Sequence, residues 1–305
     1  MQYLVTGSTG FIGSQIVNEL ISQGNEVLAL CNLNKDYLNP DAEYIQADIR
    51  DLKSIKEICE ANSITGIYHF AFMMDVRKSM SHPNLVHDVN VTGTLNILQA
   101  ARDSGINRVL FPSSAAVYGN DSISPKTEKS TLHPVSFYAL SKQIAEMYVN
   151  SFSDFYGMST IILRYFNVYG PGQNPKSTFM TTIPLFIQKI LSGENLTIYG
   201  DGKQTRDFVY IKDVVDSTIQ AMNSGTTGTY NIGSGTETSI NQVLSIIQDF
   251  MDTKFDIQYL PAQEGEIKRS VADISAAQKS FNYNPKMTLK EGIENTIRYL
   301  ELLRM

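Results

Sequence analysis

Three glycines constrain this chain more than any other feature. Gly7, Gly10 and Gly13 lie directly after a short apolar run, Tyr3-Leu4-Val5, and directly before an apolar repeat, Ile12, Ile16, Val17 and Leu20. The repeat has the spacing of one helix face and stops at Gln23-Gly24. Val27-Leu28-Ala29-Leu30 then reads as a second buried strand. Continuous apolar strands need helices on both faces of the sheet, so this β-turn-α-β unit predicts a layered α/β domain with a parallel sheet. Glycine permits a tight turn, a close approach by phosphate and close packing of helix on strand. The first turn of the helix offers backbone N–H groups where a pyrophosphate can sit. Gly7, Gly10 and Gly13 are therefore candidate nucleotide-binding residues.

The alternation continues. Residues 44–47, 67–71, 109–111 and 160–164 read as strands, and 52–59, 85–101 and the segment after 137 as helices. Repeated βα units predict a doubly wound parallel sheet of the Rossmann type. From Tyr169 onward the elements become shorter and mixed. Helices are expected over 183–191, 214–222, 240–250 and 289–302, with short strands at 196–198 and 208–210. This predicts a first domain over 1–168 and a smaller mixed α/β substrate-binding lobe over 169–305, interleaved with it. No internal repeat or low-complexity linker separates the two.

Composition narrows the function classes. The chain has 305 residues and a formal charge of −6. With no basic block, nucleic acid is not an expected partner. The two cysteines, Cys31 and Cys59, make no disulfide framework and suggest a reducing compartment. The four histidines show no paired ligand spacing, so no metal is expected. A strand begins almost at residue 1, and no apolar run is long enough to span a bilayer. The expectation is a cytoplasmic protein without signal peptide or membrane contact.

The chemistry points to Tyr138-Ala139-Leu140-Ser141-Lys142, with Ser113-Ser114 upstream. Four residues apart on a helix, Tyr138 and Lys142 share one face. A phenol titrates at about 10 and is a poor base. At roughly 6 Å and an effective dielectric of about 20, an ammonium stabilises the phenolate by about 3 kcal/mol, enough to bring tyrosine toward neutral pH. Strand 109–111 delivers Ser113 and Ser114 at its carboxyl end, where open α/β sheets bind ligands. With 16 tyrosines, the spacing arises by chance about once. Tyr199-Gly200-Asp201-Gly202-Lys203 is a second example, but its glycines predict a turn.

Taken in order, Thr6-Gly7-x-x-Gly10-x-x-Gly13, Ser114 and Tyr138-x-x-x-Lys142 resemble the extended short-chain dehydrogenase/reductases. The resemblance spans essentially the whole chain. It looks most like the UDP-galactose and UDP-N-acetylglucosamine 4-epimerases. His69-Phe70-Ala71, Ser113 to Gly119, Arg164 to Gly170 and Gly200 to Tyr210 carry this narrower likeness. It implies a homodimer that inverts C4 of a UDP-hexose by transient oxidation with bound NAD. Dimer contact is implied through helices near 85–101 and 135–150.

Carried across, Ser114, Tyr138 and Lys142 become the catalytic set, Lys142 also holding the nicotinamide ribose. Ser113 is the alternative serine. Phe11, Ile12, Asp48, Ile49, Phe70, Ala71, Asn90 and Tyr165 match cofactor positions. Asn167 and Arg206 match diphosphate contacts, and a guanidinium suits phosphate because it binds with two parallel N–H groups. A turn-forming role for Asn167 and an Arg206–Asp207 surface ion pair are the plain alternatives. Ser270 matches a position facing the sugar 2-substituent, where a small residue leaves room for an N-acetyl group. The chain also departs from the pattern. Cys31 replaces the acid that binds the adenine ribose, so Asn32 is the expected ribose contact. NAD is expected, and NADP stays open through Lys35. Gly172 and Gln263 stand where relatives carry arginines, and Lys268 or Arg269 is a candidate substitute. A 4,6-dehydratase or decarboxylase, a reductase and a non-catalytic dinucleotide sensor are the rival readings. Against the dehydratase, Ala115-Ala116 supplies neither the acid nor the base that elimination needs.

Overall fold

The structure is a computed structural model that describes residues 1–32, 39–121, 123–173, 180–251, 255–262 and 267–304. Lys35 and Gln263 lie outside these residues. In the first half, β1 (Gln2–Thr6), α1 (Phe11–Ser22), β2 (Glu26–Cys31), β3 (Glu43–Gln46), α2 (Leu52–Ala61) and β4 (Ile64–His69) follow one another. Then come α3 (Val76–Ser81), α4 (Pro83–His87), α5 (Gly93–Asp103), β5 (Arg108–Ser114), α6 (Phe137–Tyr156) and β6 (Ser159–Tyr165). The rest comprises β7 (Asn167–Tyr169), α7 (Thr182–Leu191), β8 (Leu196–Tyr199), β9 (Thr205–Arg206), β10 (Phe208–Tyr210) and α8 (Ile211–Asn223). It ends with β11 (Gly228–Ile232), β12 (Thr238–Ser239), α9 (Ile240–Met251), β13 (Ile257–Leu260), α10 (Ser275–Phe281) and α11 (Leu289–Leu302).

Seven parallel strands form the main sheet in the order β11-β6-β5-β4-β1-β2-β3. The expected doubly wound sheet is therefore present. Alternation along each strand feeds two cores. Tyr3 and Val5 of β1, with Val27 and Ala29 of β2, enter the core that includes α1 and α8. Leu4, Leu28 and Leu30 point the other way, onto α2, α5 and α6. Full burial of each such side chain contributes about 1.5–3 kcal/mol, so both faces must be covered. Strand order reverses between β1 and β4, and ligands of open α/β sheets bind at such a point.

Local chemistry sets α6. Ser136 caps its start by accepting from Ala139 N at 3.1 Å, and Gly157 ends it in the left-handed region at φ 67°. One expected element differs. The helix predicted over 85–101 is α4 and α5 joined by a π-helical turn at Asp88–Thr92. The extra residue sits where the buried Asn90 leaves the helix register to bond Met73 and Ser141. A polar brace, invisible to periodicity, outweighs regular helix there. The strand expected over 67–71 instead spans Ile64–His69, because its register is set by β1, with Thr6 opposite His69.

Short paired strands mark the second half. β7 pairs with β10, β9 with β12 and β8 with β13. β11 joins β6 at the edge of the main sheet, so residues 228–232 return to the first layer.

Candidate active site

The glycine turn abuts the start of the loop after β4. Gly7 has φ +64°, and a Cβ there would lie 2.4 Å from the Phe70 carbonyl oxygen. A Cβ on Gly13 would lie 2.2 Å from the Gly7 carbonyl oxygen. Neither position accepts a side chain, so helix, turn and neighbouring strand close onto one another through bare backbone. Beside them opens a cavity of about 550 Å³. Gly7, Gly10, Asn32, Asp48, Ile49, Phe70 and Ala71 line it, as the sequence predicts for a cofactor site. Its size and mixed polar and apolar walls suit a dinucleotide. Thr9, Arg50, Phe72 and Lys78 also line it and escaped the sequence reading. Lys78 comes from a six-residue helix with no spacing signal, so only the fold brings it there.

Cys31 lines the same cavity beside Asn32, where the resemblance places the adenine ribose. Asp48 is bound by Arg50, which donates from Nε at 3.0 Å, and this pairing holds the Asp48 carboxyl below its usual range. Phe11 and Ile12 are half-buried beside the turn, Ile12 against the core. Two other expected cofactor contacts have different partners. The Asn90 amide is engaged by Met73 N at 2.7 Å, Met73 O at 3.0 Å and Ser141 Oγ at 2.9 Å. It braces the 70–75 loop against α6. Tyr165 is stacked on Phe70, and its hydroxyl meets Thr218 of α8 at 2.7 Å.

The catalytic candidates converge at the carboxyl end of β5. Tyr138 and Lys142 are both buried on one face of α6. Ser114 Oγ accepts from Ala116 N at 3.2 Å, and its hydroxyl lies close enough to Tyr138 to draw the phenol's pKa down. Ser113 turns the other way and donates to Glu146. Ser114, not Ser113, is thus the serine beside the phenol. The electrostatics differ from the sequence estimate. Burial pushes Tyr138 above the ordinary phenol range, and the Ser114 hydrogen bond draws it back only in part. Lys142 donates to the Pro112 carbonyl at 2.8 Å and lies over the rings of Phe72 and Phe111. Burial drives it well below the usual lysine range, with Glu146 opposing. Burial therefore works against the charged form of both groups, opposite to the effect that spacing alone suggests.

The second-half candidates gather round Asp207. Its carboxylate is buried and accepts from Ser234 N, Ser234 Oγ, Gly235 N and Ala272 N at 2.6–3.1 Å. Burial still holds this carboxyl above its usual range. The Arg206–Asp207 ion pair therefore does not form. Arg206 instead donates to the Thr205 and Ile267 carbonyls. Asn167 donates from N and from Nδ2 to the Asp207 carbonyl at 3.0 and 3.1 Å, which places it beside Arg206. Ser270 is buried two residues before Ala272. Arg269 is held by Glu237 at 2.7 Å, which disfavours it as the substitute phosphate ligand. Gly172 has φ +98°, and a Cβ there would sit 2.7 Å from Gln15 Nε2, so this turn does not favour an arginine. Tyr199 and Lys203 flank a turn with Gly200 at φ 80° and Gly202 at φ 72°, as expected. Among the described residues, no three His, Cys, Asp or Glu side chains gather as metal ligands. No described helix is long and apolar enough to cross a membrane.

Residues 3–233 match the NAD-dependent epimerase/dehydratase family. A putative UDP-glucose 4-epimerase from Methanocaldococcus jannaschii is 40% identical over 302 residues, covering 98% of each chain. A UDP-glucose 4-epimerase from Thermotoga maritima, solved with UDP-glucose, superposes with a TM-score of 0.96 at 32% identity, covering 100% of both chains. A UDP-glucose 4-epimerase from Thermus thermophilus, solved with NAD, gives a TM-score of 0.92 at 32% identity over 99% of each chain.

Proposed function

This chain belongs to the NAD-dependent epimerase/dehydratase family, and on that premise we propose that it inverts C4 of a UDP-hexose. The observation that carries this reading is the contact between Ser114 and Tyr138 beside the buried Lys142, at the carboxyl end of β5. Bound NAD supplies a reversible hydride acceptor for the sugar. The chain's own residues do the rest. Tyr138 Oη, as the phenolate that the Lys142 ammonium and the positive charge of a bound oxidised nicotinamide would favour, takes the proton of the C4 hydroxyl and returns it after the sugar has turned over. Ser114 Oγ holds the same sugar oxygen. Lys142 holds the nicotinamide ribose. Arg206 and Asn167 hold the diphosphate, so the hexose turns about a fixed anchor. Gly7, Gly10, Asn32, Asp48 and Ile49 hold the rest of the cofactor, which their lining of the cavity supports, and Gly13 lets the helix close onto the turn.

Ala115-Ala116 argues against a dehydratase, because neither side chain moves a proton. Buried, small Ser270 supports a pocket that admits an N-acetyl group at C2, extending the substrate to UDP-GlcNAc and UDP-GalNAc. A homodimer is part of the same proposal. Leu140, Met147 and Phe155 of α6 are exposed, as is Met80 of α3, an apolar face suited to a second copy.

One experiment tests the reading. The purified protein, without added NAD, is incubated separately with UDP-Glc, UDP-Gal, UDP-GlcNAc and UDP-GalNAc, and products are resolved by NMR. C4 epimers support it and rank the sugars. Turnover that consumes added cofactor stoichiometrically makes the chain a reductase instead.

A further inference from the structure

Glu146 follows Lys142 by one helical turn on the buried face of α6, and is 3% exposed. Its Oε1 accepts from Arg164 Nε at 2.9 Å and from Ser113 Oγ, and its Oε2 accepts from Arg164 Nη2 at 2.6 Å. Ser113 adjoins Ser114 on β5, and Arg164 adjoins Tyr165 on β6. Ser113 and Arg164 are partners in the sheet register. The network runs on from Arg164 Nη1 to the Tyr118 hydroxyl at 3.0 Å, and from there to Asn231 at 2.6 Å. None of these side chains lines the cofactor cavity, so the mechanism above leaves a buried carboxylate and guanidinium without a task.

The surroundings of Lys142 suggest one. Its ammonium has Pro112 O as acceptor and the rings of Phe72 and Phe111 alongside. His69 faces it from β4 and is neutral, burial pushing it down to about 3 between Thr6 and Thr94. Tyr138 shares its helix face. Arg164 lies behind Glu146 from β6. Glu146 is thus the anionic side chain that acts on Lys142. We propose that Glu146 is a positioning residue that acts through Lys142, its clamped carboxylate keeping the lysine an ammonium able to hold the cofactor ribose. Arg164 and Ser113 fix the carboxylate one turn beyond Lys142 on α6. The inference rests on the functional reading above for the role of Lys142.

The test uses Glu146→Gln, Glu146→Asp and Arg164→Gln in the full chain, with circular dichroism as the check on folding. Two profiles are recorded against pH, turnover of the best UDP-hexose and retention of NAD after gel filtration. Glu146→Gln removes the opposing charge and leaves Arg164 unpaired. Both effects disfavour the ammonium, so the alkaline limb of both profiles moves to lower pH. One charge at roughly 6 Å in an effective dielectric of about 20 predicts a shift of about two pH units. Arg164→Gln moves the limb to higher pH, and Glu146→Asp falls between wild type and Glu146→Gln. If Glu146→Gln does not fold, the other two variants decide by direction. Profiles that lose height while keeping the wild-type limbs overturn the proposal and make the network structural only. If the wild-type chain turns over none of the sugars, the functional reading fails, and the NAD-retention profiles still decide the role of Glu146.

Discussion

The two halves of this molecule hold their candidate binding residues by opposite means. In the first half bare backbone meets bare backbone at the edge of the candidate cofactor cavity, Gly7 against Gly13 and against Phe70, where β1 and β4 part. In the second half nothing local suffices. Arg206 and Asn167 keep their places because one buried carboxylate, Asp207, gathers Ser234, Gly235 and Ala272, 27 to 65 residues away. The first arrangement is rigid by steric exclusion. The second is rigid by satisfaction of hydrogen bonds in a dry site. A steric frame fails when atoms are added, and a hydrogen-bonded hub fails when a donor or acceptor is changed.

Five variants break or sharpen that contrast. The largest effect is expected at the junction of the halves. Tyr138→Phe should reduce turnover by about 10²–10⁴-fold with the fold intact, measured by NMR rates and circular dichroism; an active Tyr138→Phe protein sinks the mechanism. Next, Gly7→Ala adds a Cβ against the Phe70 carbonyl at a positive φ. It should cost about 2–4 kcal/mol and abolish NAD retention, read by melting temperature and by bound absorbance.

In the second half, Asp207→Asn sets an amide donor against backbone donors. A loss of about 1.5–3 kcal/mol is expected, with KM for the UDP-sugar raised more than NAD retention is lowered. Equal damage to both would show that the two halves share one frame. Arg206→Met should raise KM by about 10–100-fold with a smaller change in kcat, the signature of a lost diphosphate contact.

The smallest effect is a pH dependence at the lobe surface. Arg269 and Thr205 hold the Glu237 carboxyl down, from 4.5 to about 2. A depressed acid stabilises the fold above its unfolded value and loses that contribution as pH falls through its folded value, here between about 4.5 and about 2. The pair is part-exposed, so water screens it and less than about 1 kcal/mol is expected. Wild type and Glu237→Gln should melt at nearly the same temperature by pH 2 and differ by a degree or two at pH 7.

Much of the first half was legible because its signals are local. Continuous apolar strands, a helix-spaced repeat and glycine at a turn each report on a few neighbouring residues. The Ser136 cap and Gly157 stop of α6 are likewise short-range. The π-helical turn at Asn90 was not legible, because its cause is a brace to Met73 and Ser141. Lys78 and Arg50 were missed for the same reason. The turn of Tyr165 toward Thr218 depends on α8, 53 residues onward.

The sequence by itself determined the layered α/β fold, the glycine turn and the face shared by Tyr138 and Lys142, since strand alternation, backbone sterics and helix periodicity act over a few residues. Only the tertiary structure decided which serine meets Tyr138, that Ser113 and Arg164 serve Glu146, and that Asp207 is a hub and not a surface ion partner. It also decided what burial adds to their electrostatics. Spacing predicts an attraction between two groups, but burial sets the cost of charging each of them. At Tyr138 and Lys142 burial works against the charged forms that proximity favours.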